Sequence, residues 1–209
     1  RYMKSIVVVD SVMLGEDQLA RLRKLGHLVV YDRPPADRTQ LMIRISQAHV
    51  LLVSEAVLDR AMIEHAENLE MISLWSSGFD HVDVRAARER GIAVCHAPGC
   101  TTDAIAEHTI AVALYFLHKL GEADRHVRGG EYAWDRFITP ELRAQTFGVI
   151  GLGRVGTQVA QRARLLGSKV LAHTRSPQKA EEVGAVAVDL ETLLRQSDII
   201  TVNLSLVPE

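Results

Sequence analysis

The sequence is short of several things at once. Two cysteines, Cys95 and Cys100, stand in 209 residues. That is too few for a disulfide scaffold and fits a reducing compartment, hence a cytoplasmic location. Without a second pair of soft ligands the two thiols make a poor metal site, and no metal is expected. Charge of one sign is also lacking. The net charge is −2, so no overall field draws in nucleic acid or an acidic membrane surface. No apolar run approaches the roughly 20 residues that a membrane span needs. The amino terminus shows no secretory pattern, because SIVVVD already reads as a strand. Arg1 and Tyr2 precede Met3, which is the expected native start.

What is present is a rhythm. Short apolar runs alternate with helical patterns: SIVVVD then EDQLARLRKLG, HLVVYD then DRTQLMIRISQ, HVLLVS then AVLDRAMIEHA, EMISLW then DVRAARERG, and finally IAVCHA. Each run is apolar on consecutive residues. Such strands are covered on both faces, the mark of a parallel sheet between helices. Repetition of strand and helix predicts a doubly wound α/β unit over about residues 3–98. A helical pattern then runs from about Thr102, with Thr101 or Thr102 as its cap, to Arg128, ahead of Gly129-Gly130. The polar stretch GGEYAWDRFITPELRAQ reads as a surface loop with Trp134 as its anchor. A second rhythm follows: TFGVI, a glycine turn, VGTQVAQRARLLG, KVLAHT, a short helix near Pro177 to Glu182, AVAVD, LETLLRQS and DIITVNL. The fold class is therefore α/β, with two doubly wound parallel-sheet units.

The sharpest motif is GLGRVG, Gly151 to Gly156, with Leu152, Arg154 and Val155 between its glycines. It follows a predicted strand, Phe147 to Ile150, and opens a predicted helix, as a dinucleotide fingerprint requires. Gly151 permits the tight turn, Gly153 lets backbone approach a pyrophosphate, and Gly156 lets helix and strand pack closely. The helix start faces phosphate with free N–H groups, and Arg154 adds a cation beside them. An NAD site places an acid at the end of the second strand, about 20 residues on, to bond the ribose hydroxyls. Here that strand end reads His173-Thr174-Arg175-Ser176, and the acid is missing. An arginine offers a charged fork to a 2′-phosphate, and Thr174 and Ser176 add hydroxyls. The pattern suits NADP, with NAD possible.

The chain resembles the D-isomer-specific 2-hydroxyacid dehydrogenases along nearly its whole length. The matching pieces are SSGFDHVDVRAARERGIAVCHAPGCTTDAIAEHTIAVAL, Ser76 to Leu114, and GVIGLGRVGTQVAQRARLLGSKVLAHTR, Gly148 to Arg175. The resemblance implies a flavodoxin-like substrate domain over residues 1–98 and a Rossmann cofactor domain over 99–209, the latter incomplete at its carboxyl end. It places Ser77 and Gly78 on a loop whose N–H groups hold the substrate carboxylate, and small residues there do expose amides to an anion. It places Val53 and Ser54 on a second substrate loop. Phosphoglycerate dehydrogenases of the family usually carry an arginine on that loop. Its absence, with Arg175 present, makes the chain look more like a glyoxylate or hydroxypyruvate reductase. Thr102 matches a position near the nicotinamide, and Asn203 and Leu204 complete the cofactor set.

In this family an arginine polarises the substrate carbonyl, and a histidine supported by an acid moves the proton. By motif order all three fall beyond Glu209, so no catalytic residue is assigned here. His65, His108, His118, His49 and His173 sit in or beside regular elements and read as packed or surface imidazoles. His96, in the hinge-like CHAPG, is the one to watch. The second unit's strands are expected at Phe147–Ile150, Lys169–His173, Ala185–Val188 and Asp198–Leu204, in a 3-2-1-4-5-6 sheet. Asp198 to Leu204 is written as a central strand paired on both sides, so the chain is expected to be part of a longer protein. By itself it is expected to aggregate and to lack reductase activity. The family pairs its cofactor domains, and Ile105 to Leu120 is apolar nearly all round, which predicts a homodimer. A second class stays open: a dinucleotide-sensing binding protein of the C-terminal-binding-protein corepressor kind, on the same fold. Oxidation of NADPH with a 2-oxo acid distinguishes the two.

Overall fold

In the computed structural model of the protein, residues 3–205 are described. Arg1, Tyr2 and residues 206–209 lie outside them. The chain divides into two compact units, Arg1–Cys100 and Thr101–Glu209.

The first unit alternates strand and helix: β1 (Ser5–Val8), α1 (Glu16–Arg23), β2 (His27–Val30), α2 (Arg38–Ile45), β3 (Val50–Val53), α3 (Arg60–His65), β4 (Met71–Leu74), α4 (Val84–Glu89) and β5 (Ala93–Cys95). All pairings are parallel and the sheet order is β2-β1-β3-β4-β5, the flavodoxin-like winding. Consecutive apolar residues make the central strands. Ile6, Val7, Val8 and Val9 are each 4% exposed or less, so both faces of β1 are covered. Three helices start in the same way. Asp37, Asp59 and Asp83 accept the backbone N–H of the third residue on, from Gln40, Met62 and Ala86. Each cap satisfies one of the donors that a helix start leaves open.

The second unit holds α5 (Thr102–Leu117), α6 (Leu120–Arg128), β6 (Thr146–Ile150), α7 (Arg154–Leu165), β7 (Lys169–His173), α8 (Pro177–Glu182), β8 (Val186–Ala187), α9 (Leu190–Gln196) and β9 (Ile199–Val202). Its sheet order is β8-β7-β6-β9, all parallel. This is the 3-2-1-4 part of a doubly wound sheet. Phe147, Val149, Val159, Ala160, Ala163 and Ala172 are fully buried. The alanines along α7 let that helix lie close on the sheet.

Three expectations are corrected. The single helix from Thr102 to Arg128 is two helices. Lys119, between α5 and α6, takes the left-handed conformation at φ 50°, which ends an α-helix. The bend lays Gly121 against Tyr115, where any side chain would collide with the tyrosine hydroxyl. Trp134 does not anchor the loop after α6: it is 67% exposed. That loop is held instead by Leu142, which is buried and accepts the Ser168 hydroxyl at 2.8 Å, and by the bond between His118 Nδ1 and Thr139 Oγ1 at 2.9 Å. The last strand is shorter than Asp198 to Leu204. Asp198 turns its carboxylate back to accept the Thr146 N–H at 2.7 Å, and among the described residues β9 pairs only with β6. Ile200 and Val202 on it are exposed. No helix among the described residues is long and apolar enough to cross a membrane.

Candidate cofactor and substrate sites

The glycine turn of the second unit is built by two constraints. Gly151 sits at φ 91°, a conformation that side chains rarely adopt. A Cβ on Gly156 would collide with the Gly151 carbonyl oxygen. Together they force α7 to start tight against the end of β6. Gly153, at the N-cap of α7, differs. A Cβ there would meet nothing within 4 Å, so no described residue requires glycine at that point. The open space lies at a helix start, where backbone N–H groups and the helix dipole favour an anion.

The Gly151 N–H donates to the His173 carbonyl at 2.9 Å, which draws the end of β7 beside the turn. A groove of about 480 Å³ results, with Gly151, Leu152 and Gly153 on one side and Thr174, Arg175 and Ser176 on another. Asn203 and Leu204 close it from the end of β9, where the Asn203 N–H bonds the Ile150 carbonyl at 2.8 Å. Arg154, Val155 and Gly156 stand behind the turn, on α7. Thr102 does not line this groove. Arg162 of α7 donates to Asp103 of α5 at 2.7 Å, so the start of α5 lies beside the far half of α7.

The groove also takes residues to which sequence reasoning gave no such role: His173, Lys179 and Ser205. Lys179, in the first turn of α8, adds a second cation to the groove beside Arg175, which precedes that helix, so no helical spacing signals the pair. Neither cation makes an ion pair or side-chain hydrogen bond among the described residues, and no carboxylate lines the groove. His173 is used structurally, its Nδ1 donating to the Val188 carbonyl at 3.2 Å. Thr174 Oγ1 accepts the Ser176 N–H at 3.2 Å, which orients the Thr174 hydroxyl against the turn. A larger hollow, about 590 Å³, runs along α5 and the open side of β9. Val112, Phe116, Ile200 and Val202 line it, with His108, Thr109, Gln145 and Thr201 among them.

In the first unit, Val53 is fully buried at the end of β3, so it offers backbone only. The Ser54 N–H is already bonded to Asp10. Around Ser77 the loop is braced from three sides. His96 Nδ1 donates to the Ser77 carbonyl at 2.9 Å, Ser77 Oγ donates to the Ala97 carbonyl at 3.2 Å, and Ser76 Oγ donates to the Gly78 carbonyl at 2.7 Å. His96 also packs edge-on against Phe79. Gly78 is exposed, and no described residue accepts its N–H.

The profile of the D-isomer specific 2-hydroxyacid dehydrogenase catalytic domain matches residues 6–205. The chain belongs to this family. A D-3-phosphoglycerate dehydrogenase of Archaeoglobus fulgidus is 39% identical over 200 residues, which is 94% of this chain and 38% of that protein. A glyoxylate reductase of Thermococcus litoralis is 37% identical over 208 residues, 94% of this chain and 62% of that protein. Among solved structures, an acyclic imino acid reductase in complex with NADPH and D-Arg superposes with a TM-score of 0.86 at 26% identity, covering 96% of this chain and 65% of that one. The chain thus spans less than two thirds of the length of each of these three proteins.

Proposed function

We propose that this chain carries the substrate loops and the front of the cofactor site of an NADP-preferring reductase of small 2-oxo acids, of the glyoxylate or hydroxypyruvate kind. Residues 1–98 serve as the substrate domain and 99–209 as the start of the cofactor domain. The observation that carries the proposal is the groove at the glycine turn. Among the described residues it holds two unpaired cations, Arg175 and Lys179, and two hydroxyls, and no carboxylate. A 2′-phosphate is the charged group that such a wall recognises. The open space at Gly153 supports close approach of a pyrophosphate to backbone N–H groups.

When bound, the nicotinamide supplies the hydride. The residues here bind and orient. Gly151, Gly153 and the α7 start hold the cofactor phosphates, with Arg154 beside them, and the ends of β7 and β9 hold the adenosine side. The Gly78 N–H, with Ser77, holds the substrate carboxylate, and Val53-Ser54 bounds the rest of the substrate. The lack of an arginine on that second loop favours a substrate without a phosphate. No residue described here is assigned the polarising of the carbonyl or the moving of the proton; His96 is engaged as a brace. Two exposed free thiols, Cys95 and Cys100, fit a reducing cytoplasm. Exposed Ile105, Val112, Phe116 and Leu120 support a two-fold homodimer through α5 and α6, which sedimentation at micromolar concentration checks.

The test is direct. The product of the complete reading frame should oxidise NADPH with glyoxylate or hydroxypyruvate. Tight binding of NADPH without turnover of any 2-oxo acid would move the protein to the cofactor-sensing class.

A further inference from the structure

Asp10 ends the apolar run of β1 and is 2% exposed. A carboxylate so buried needs donors on its oxygens. It has three, all from consecutive backbone positions. Oδ1 accepts the N–H of Ser54 at 2.7 Å, and Oδ2 accepts those of Glu55 and Ala56, each at 2.7 Å. Successive N–H groups turned toward one point make a nest for an anion. Here the anion comes from the protein itself. The strand end that carries it is also fixed: Arg44, buried above the Tyr31 ring, donates from Nη1 to the Val9 carbonyl at 2.6 Å and to the Arg33 carbonyl at 2.7 Å.

Two consequences follow for the loop that leaves β3. Its three N–H groups are occupied and cannot hold a substrate carboxylate. Its backbone is set before any ligand arrives, and a loop already in its bound shape avoids the ordering entropy that binding otherwise costs. We propose that Asp10 is a positioning residue that holds the Ser54–Glu55–Ala56 backbone in the shape that meets the substrate. This rests on Val53-Ser54 being a substrate loop, as proposed above.

The experiment uses the product of the complete reading frame, with Asp10→Asn as the near-isosteric change. Amide exchange at residues 54–56 should speed up by about tenfold or more, since hydrogen bonds to a charged group are lost. KM for glyoxylate should rise by a similar factor of about ten, with kcat changed less than about threefold, because uniform binding is what such a loop provides. NADPH affinity, read by fluorescence, should stay unchanged. Ala56→Pro removes one donor while keeping Asp10, and covers the case in which Asp10→Asn does not fold. It should give the same pattern more weakly at Ser54 and Glu55. Unchanged exchange overturns the inference, because Asp10 then does not hold the loop. Faster exchange with an unchanged KM overturns it too, because the loop's order is then a matter of stability alone. An unsubstituted protein that turns over no 2-oxo acid defeats the reading of the loop, and the positioning role with it. The exchange difference separates that outcome from a missing contact.

Discussion

The two units answer the same architectural problem in opposite ways. Each is a parallel sheet between helices, and each gathers backbone N–H groups at the carboxyl ends of its strands. In the first unit the nest after β3 is filled from within, by the carboxylate of Asp10. In the second, the turn after β6 is left open: Gly153 faces empty space, and Arg175 and Lys179 lack partners among the described residues. A buried donor set that is satisfied internally is architecture. One left unsatisfied beside unpaired charge is an invitation to a ligand of opposite sign. The outer strands differ in degree: β2 exposes Val30, whereas β9, which pairs only with β6 among the described residues, exposes both Ile200 and Val202.

The largest expected effect separates two glycines of one motif. Gly156→Val forces α7 off β6, because its Cβ would overlap the Gly151 carbonyl. Overpacking at a fully constrained contact costs about 3 kcal/mol. Denaturation followed by amide signals should show residues 101–205 destabilised and residues 3–100 unaffected. Gly153→Ala should leave stability nearly unchanged and lower NADPH affinity, because the space it enters is filled by no described residue. Equal loss of stability from both changes would mean that Gly153 is a structural glycine and the turn no more open than the nest around Asp10.

The next effect asks whether the charge in the open groove chooses the cofactor. Arg175→Asp places the missing acid at the end of β7. It should shift the NADPH to NADH affinity ratio toward NADH by at least about tenfold, from one hydrogen bond to a charged group worth about 1.5–3 kcal/mol. Lys179→Ala should move the ratio the same way by less, since the lysine is a point charge without a fork. If Arg175→Asp leaves the ratio where it was, Arg175 is an ordinary exposed strand end.

Much of this was legible because periodicity and glycine spacing are local. Consecutive apolar residues gave the strands, and GLGRVG with its flanking strand and helix gave the turn. Thr174, Arg175 and Ser176 do line one groove with Gly151 and Gly153. What escaped depends on where a side chain ends up. The break at Lys119 carries no proline, and the apolar pattern runs through it from Leu117 to Leu120. The helix starts at Asp37, Asp59, Asp83 and Asp189 were written in the sequence, but each reads as an ordinary surface acid until its bond is seen. Asp10 was the last letter of SIVVVD. Its role depends on residues more than forty positions away, and no local pattern carries that.

The smallest effect concerns acid, and it again divides the units. In the first, three carboxyls are held below their usual range by basic partners. The Arg38 guanidinium lowers Asp59, with bonds at 2.5 and 3.1 Å, Lys4 lowers Glu70, and Arg60 lowers Glu89. In the second, only Asp189 is lowered among the described residues, chiefly by the Thr192 N–H that it caps. A carboxyl lowered in the folded state stabilises fully above its unfolded pKa, about 4. That contribution is lost as pH falls through the lower folded value, because the unfolded chain takes up the proton first. Below about pH 4 the first unit should therefore lose more of its margin than the second. All three pairs lie at the surface, so the difference should be small and should shrink with added salt. Amide signal intensities followed from about pH 5 to pH 2 read both units in one sample. Arg38→Gln should reduce the Asp59 share in the first unit and leave the second unchanged, since Asp59 keeps its backbone bonds from Met62 and Ala61. If the units lose order together and Arg38→Gln changes nothing, these pairs do not distinguish them. The contrast would then rest on the filled and the open nests alone.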